Sequence, residues 1–342
     1  MNIVKSPHRW PAEWEAQAAT WVAWPHNRNT WPSRFEPILP AFERFVLELS
    51  RSQAVHVLSG PAGAQPSAQE RVGHLPNVTI HNLPTNDSWI RDYGPTFVKR
   101  HDDQSLVGIN WHFNAWGGKY PPYDLDDAAS SEICRLAGCA FSQSSLYCEG
   151  GALEGNGTGT IMTTSSCLRS RTRNPGWTIE MIEDELKVQL GAEEILWIDG
   201  GGLDGDDTDG HIDQIARFVA PGEVVAATSS RSDDPNYAGL KENVRILQAA
   251  RTVEGEPLNV YELPTPPPRL VDGQRVPESY CNFVFAKGAV LVPTFRAETD
   301  NAALELLSQL LPYRRVIPID SYDLAWGLGA LHCLSQQQPA AN

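Results

Sequence analysis

The 342-residue sequence predicts an α/β fold on three observations: amphipathic helical stretches recur along the chain, short β-rich runs lie between them, and this alternation continues throughout. Helical period is plain in Ile38–Ser50, where Ile38, Phe42, Phe45, Val46 and Leu49 share one stripe. It recurs in 178–190, through Ile179, Ile182, Leu186 and Leu190, and again in 301–311. A shorter helical pattern surrounds Cys134, with Ile133, Leu136 and Ala137. Strands are expected at 55–58, 78–81, 108–111, 160–164, 224–228, 282–286, 289–293 and 316–319. The pair flanking Lys287-Gly288 reads as a hairpin. No sharp change in composition marks a boundary, so 1–342 is read as one domain. The proline-rich stretch 263–279 is then a stiff surface loop within it, near a site mouth.

Composition narrows the partner. A hydrophobic share of 41% with 11 Trp, 10 Phe and 9 Tyr is too apolar for a disordered chain. With 27 Lys+Arg against 42 Asp+Glu, the net charge is −15, which repels nucleic acid or an anionic membrane and attracts a small cation. No apolar run approaches the ~20 residues of a membrane helix, and the first residues lack the apolar stretch of a secretory signal. A cytoplasmic protein is expected. Its six cysteines form no C-x-x-C pair, which leaves a structural zinc site without support. Five of them are read as small buried hydrophobes, Cys134 above all.

Five segments combine glycine with acids, His or Cys, each beside a strand-like run: 86–95, Glu149-Gly150-Gly151, 204–217, 280–295 and 327–339. Side chains from several elements are therefore expected to meet in one cleft. Metal readings of the acidic stretch fail. Placing Gly210 at the fixed glycine of a calcium loop puts Gly205 at the first ligand position and Ala216 at the bidentate glutamate. His211 and Asp213 are two ligands at most, with no second His pair. Without a metal, His211 and Cys333 read as base and nucleophile. The bland alternative for Cys333 is a buried thiol beside a solvent-capped His332. Acids at Asp92, Asp213 and Glu149, if they converge, want a delocalised cation, and guanidinium is the planar fork that carboxylates grip bidentately. Trp89 is placed to stack on its face. A binding module for polyamines, with an inert cysteine, stays open on these residues alone.

The motifs go further. NDSWIRDYGPTFV (86–98), FNAWGGKY (113–120), EGGALEGNGTGTIMTT (149–164), TDGHIDQIARF (208–218) and LHCLSQQQP (331–339) resemble agmatine deiminases, within the wider family that includes bacterial peptidyl-arginine deiminases. The resemblance runs nearly end to end. It implies a five-bladed α/β propeller (pentein) of ββαβ repeats around a central funnel. It also implies a cofactor-free hydrolase acting on C–N bonds of linear amidines. By motif, Cys333 is the nucleophile, His211 the acid/base, Glu149 its associated acid, Asp92 and Asp213 the guanidinium anchors, and Trp89 the aromatic wall. The expected reaction is agmatine plus water to N-carbamoylputrescine plus ammonia. Asp207, in an acidic loop beside the His211 motif, is the candidate for the distal amine. Arg169, Arg171 and Arg173 keep arginine or peptidyl-arginine open as substrate. The partner is thus a small guanidino cation, with no nucleic acid and no membrane, and a homo-oligomer is left open.

Overall fold

A computed structural model describes residues 6–341. Five units with the same internal order follow one another, each with an antiparallel pair, a crossover helix and a third strand parallel to the second. In the second unit, Thr96–Arg100 and Leu106–His112 are antiparallel, Asp124–Ala137 crosses over, and Ala140–Tyr147 returns parallel. Glu154–Gly155, Thr160–Thr163, Ile179–Leu190 and Glu194–Trp197 repeat the pattern. Ala216–Ala220, Glu223–Thr228, Asn236–Ala249 and Asn259–Pro264 do so again. Val284–Ala286, Ala289–Thr294, Asp300–Leu310 and Arg315–Asp320 form the fifth. The first unit takes its leading strand from the far end of the chain. Ser335–Pro339 pairs antiparallel with Gln17–Ala23, which runs parallel to Ala54–Leu58 across helix Ile38–Ser50.

Most sequence expectations fall on these elements. Helix Ile38–Ser50 buries Ile38, Phe42, Phe45, Val46 and Leu49, the five residues of its stripe. Thr178 caps the next amphipathic helix, its hydroxyl accepting from Met181 N–H. The Lys287-Gly288 hairpin is present, with Ala286 opposite Ala289. The stretch 263–279 is more ordered than a plain loop, since it holds a small hairpin of Leu270–Val271 and Gln274–Arg275. Gln274 reaches the wall of the main cavity, so the stretch does lie at a mouth. Among the described residues, no helix is long and apolar enough to cross a membrane.

This topology positions the site. The segment just before the leading strand of every unit carries a polar residue inward: Asp92, Glu149, Asp213, Asn282 and Cys333 each lie two to five residues before such a strand. Crossover helices pack outside, over apolar strand faces. Phe42 on the first helix is fully buried, its ring edge-on to Trp24 at 5.5 Å. Replacing Phe42 with Ala is expected to cost about 3–5 kcal/mol in urea unfolding. Replacing Tyr313, which is 97% exposed, should stay within about 0.5 kcal/mol.

Candidate active site

Cys333 sits in the turn before Ser335–Pro339, with its side chain buried. Asn282 Nδ2 donates to its Sγ at 3.1 Å, and Sγ stands 3.6 Å from Asp213 Oδ2. Asn282 Oδ1 in turn accepts from the backbone N–H groups of His332 and Cys333, which fixes the turn on which the sulfur rides. Asp213 and His211 come from a 3-10 turn, Ile212–Gln214, and the residue leading into it. His211 is fully buried, with Nδ1 3.6 Å from Asp92 Oδ1 and Nε2 3.6 Å from Glu149 Oε2. Neither ring nitrogen makes a protein hydrogen bond, nor does Asp213 Oδ1. Asp92 is oriented on both oxygens, by Trp116 Nε1 at 2.9 Å and by Gly151 N–H at 3.0 Å.

Five of the seven expected residues thus form one contiguous cluster: Cys333, Asp213, His211, Asp92 and Glu149. The other two face the same cavity, which measures about 810 Å3 and is walled by Trp89, Asp92, Trp116, Asp207, Leu328 and Cys333. Trp89 leans on a glycine-containing turn, where a Cβ at Gly329 would come within 2.6 Å of its ring and within 3.1 Å of Cys333 Cβ. The glycines expected to admit substrate therefore also admit the indole. Asp207 is the one acid of the stretch 204–209 on this wall, and Tyr120 donates to its carboxylate. Asp206 is spent on Thr208 and Gly210, and Asp209 on Lys119 and Arg173.

Several partners were not visible in the sequence. His332 is not solvent-capped but 1% exposed, with Nδ1 2.7 Å from Asp213 Oδ2 and Nε2 2.9 Å from Glu13 Oε2. Arg173, considered above as a receptor for a substrate carboxylate, is buried and donates from Nε to both oxygens of Glu149. Arg169 and Arg171 are exposed and absent from the cavity wall. Cys167, expected to be a plain core thiol, lies 3.4 Å from Glu149 Oε2. Ala115 and Trp116 take φ of 51° and 56°, a costly backbone region for residues with side chains, and this turns the indole toward Asp92. FNAWGGKY carried that signal in its paired glycines.

Electrostatics sort the roles these groups can play. Burial works against charge on His211, yet Asp92, Cys167 and Glu149 outweigh it and lift its pKa well above the ordinary value. Burial likewise opposes ionisation of Glu149, but His211 and Arg173 hold it down at about 2. Burial raises Asp92 to about 6, helped by Asp213 and Glu149 and opposed by His211. The Cys333 thiol is pushed well up by burial and by Asp213 and Asp92. Glu149, Cys167 and His211 offer three ligand atoms within 4.8 Å, but the Arg173 cation already occupies Glu149 and opposes a divalent ion there.

Gly151 lies directly beneath this cluster. A Cβ there would stand 2.6 Å from His211 Nδ1 and 2.8 Å from Asp92 Oδ1. Gly151→Ala is therefore expected to keep the fold by circular dichroism while lowering turnover by about 10²-fold or more, because displacement of about 1 Å at reacting groups has that effect. A variant of near-normal turnover would show that His211 and Asp92 are not the working pair.

Comparison with known proteins follows the same residues. Residues 9–339 match the family model of the Porphyromonas-type peptidyl-arginine deiminases. Agmatine deiminase of Pseudomonas syringae pv. tomato is 34% identical, covering 96% of this chain and 95% of its own. Agmatine deiminase of Pseudomonas aeruginosa (strain LESB58) is also 34% identical, over 97% and 95%. Among solved structures, agmatine deiminase of Enterococcus faecalis superposes with a TM-score of 0.91 at 30% identity, over 99% of both chains. A substrate-bound variant of C. jejuni agmatine deiminase does so at 0.90 and 29%, over 98% of this chain and 97% of that one. With the fold, the cluster and these likenesses in agreement from residue 9 to residue 339, the chain belongs to the Porphyromonas-type peptidyl-arginine deiminase family.

Proposed function

We propose that this protein hydrolyses a small guanidino compound, agmatine, to N-carbamoylputrescine and ammonia through a covalent Cys333 intermediate. The observation that carries this reading is a thiol and an aspartate, Cys333 and Asp92, on the wall of one cavity, with Asp213 against the sulfur and the His211 imidazole against Asp92 directly behind them. The relatives named above act on agmatine by name. The five ββαβ units, with the strand Ser335–Pro339 stitched to Gln17–Ala23, support a closed pentein propeller over a single domain of 1–342. Six free thiols fit a reducing cytoplasm, and a net charge of −15 favours a small cation over nucleic acid.

The chemistry follows from the charges. Resonance makes guanidinium a poor electrophile, so Asp92 and Asp213 would hold it in one orientation beside the sulfur, with Trp89 against its face. Such orientation is worth roughly 7–11 kcal/mol in well-aligned systems. Left to itself, the thiol is kept protonated by burial and the two aspartates. A cation between them reverses that field and favours thiolate. The thiolate attacks the guanidinium carbon, and His211 donates its proton to the departing nitrogen, releasing ammonia and leaving an S-alkylthiouronium. Neutral His211 then takes a proton from the attacking water, and collapse frees Cys333 and the ureido product. Glu149, itself fixed by Arg173, keeps His211 basic enough for both steps.

Agmatine is favoured over arginine by the lining. Asp87, Asp126 and Asp207 face the cavity, its lining cations Arg28 and Lys119 are already paired with Glu36 and Asp209, and Arg173 is buried against Glu149. An ammonia-release assay should find kcat/KM for agmatine on the order of a hundredfold above free arginine and arginine-ended peptides, about 2.7 kcal/mol. Cys333→Ala should abolish release altogether, and faster turnover of the arginine compounds would reverse the substrate assignment. A second expectation concerns pH. Asp92 must be ionised to hold the cation, and its pKa is about 6, so kcat/KM should fall as pH drops below about 6. In kcat the same limb should vanish, because bound guanidinium keeps Asp92 charged.

A further inference from the structure

One pair of thiols lies outside the site and has no part in the scheme above. Helix Asp124–Ala137 ends in a left-handed glycine, Gly138 at φ 67°. Gly138 N–H donates to Arg135 O at 3.2 Å, and Cys139 N–H donates to Cys134 O at 3.1 Å. Those two bonds make a Schellman cap, which folds the residue after the glycine back against the last turn of the helix. An apolar pair often fills the contact so formed. Here both positions are cysteine, Cys134 and Cys139, and their thiols are hydrogen-bonded to one another.

The neighbouring strand makes room for them. Gly108 stands inside Leu106–His112, a place where a missing side chain weakens a strand and marks close approach by another group. A Cβ on Gly108 would overlap Cys134 Sγ, and the Gly108 N–H donates to the Cys139 sulfur. Both sulfurs therefore meet over one glycine. Their access differs. Cys134 is 1% exposed, whereas Cys139 is the one cysteine of the six that is not buried. Cys148, Cys167 and Cys281 are buried against Glu149 O, Glu149 Oε2 and Ile215 O. Their chemistry differs too. The Cys134 S–H, with the N–H groups of Gly108 and of Cys139 itself, draws the Cys139 thiol below its ordinary pKa against the pull of burial. The same contact, with burial, holds Cys134 protonated. Thiolate is the form that attacks an electrophile.

We propose that Cys134 and Cys139 are a redox dithiol, which a hydroperoxide closes into a disulfide across the helix cap. The Cys139 thiolate attacks one oxygen of hydrogen peroxide, and the O–O bond breaks. The other oxygen leaves as hydroxide and takes up the proton that Cys139 had released, giving water. Cys139 is then a sulfenic acid. The Cys134 sulfur attacks it, the S–O bond breaks, and hydroxide departs with the Cys134 proton as a second water. Two thiols and one peroxide thus become one disulfide and two waters. A small thiol reopens the bridge by exchange. The bridge lies about 20 Å along the helix from Asp126 and Asp127, whose carboxylates hold the backbone N–H groups of Asn86 and Phe113 near the cavity. The inference is independent of the deiminase reading, because no substrate enters it.

The test is a peptide map. The unmodified protein is exposed to one equivalent of hydrogen peroxide without any guanidino compound, its remaining thiols are alkylated, and tryptic peptides are weighed. Trypsin cuts after Arg135, so the bridge should appear as two joined peptides, short of two hydrogens, which separate on reduction. It should form before Cys333 takes up oxygen. In Cys134→Ser, Cys139 should stop at the sulfenic acid and be captured by dimedone. In Cys139→Ser, Cys134 should still alkylate. Intact thiols at both positions after peroxide overturn the proposal, whether or not Cys333 has reacted. A bridge from Cys134 to any other cysteine overturns it as well. Should neither variant fold, the map of the unmodified protein decides alone.

Discussion

The molecule depends on keeping four carboxylates charged in its interior. Glu13, Asp92, Glu149 and Asp213 are all at most 6% exposed, and an unpaired buried charge is severely destabilising. Each is met by cationic or hydrogen-bonding partners from distant elements. Arg173 holds Glu149, Arg217 holds Glu13 and Glu154, His332 bridges Glu13 to Asp213, and Trp116 with Gly151 fixes Asp92. Fold and site are thereby one electrostatic problem. The polar entry turns cannot loosen without exposing a charge to an apolar core.

Compensation is uneven, and the unevenness is functional. Glu149 is fully neutralised and sits at about 2, while Asp92 has only two neutral donors and a shared imidazole and rises to about 6. The field at the sulfur is accordingly negative, hostile to thiolate and welcoming to a cation. On the proposed reading, preference for a positive group and activation of Cys333 are the same property, because the bound charge is also the one that ionises the thiol.

How much of this was legible beforehand depends on where each residue finds its partner. Stripes such as Ile38–Ser50 were readable because helical periodicity is local. Ser335–Pro339 was not, because SQQQP has no apolar pattern. Its glutamines are satisfied by Trp21, Arg91 and Pro95, more than 200 residues away in sequence. The strands Gln17–Ala23 and Ala140–Tyr147 were missed for related reasons, the first being nearly all buried and the second mostly exposed, with a central polar run of Ser142 to Ser145. At the site, Cys333, His211, Asp92, Asp213 and Glu149 stood out as chemistry-bearing residues beside glycines. Glu13 and Asn282 did not, and Arg173 was read for a different task, since a buried acid, a buried amide and a buried arginine look like surface residues until their counter-groups are known. The likeness to a known family supplied roles, and geometry supplied the supporting shell.

The pairing of Ser335–Pro339 with Gln17–Ala23 has a kinetic meaning. Contacts between segments this far apart close late, after local helices and hairpins are already formed, because bringing them together carries the greatest loss of chain entropy. The sulfur lies in the turn that this closure sets in place. A half-assembled chain holds a thiol without the acids and the imidazole that would seat a cation beside it. Assembly of the cluster around the sulfur thus waits on the pairing of the two ends of the described chain.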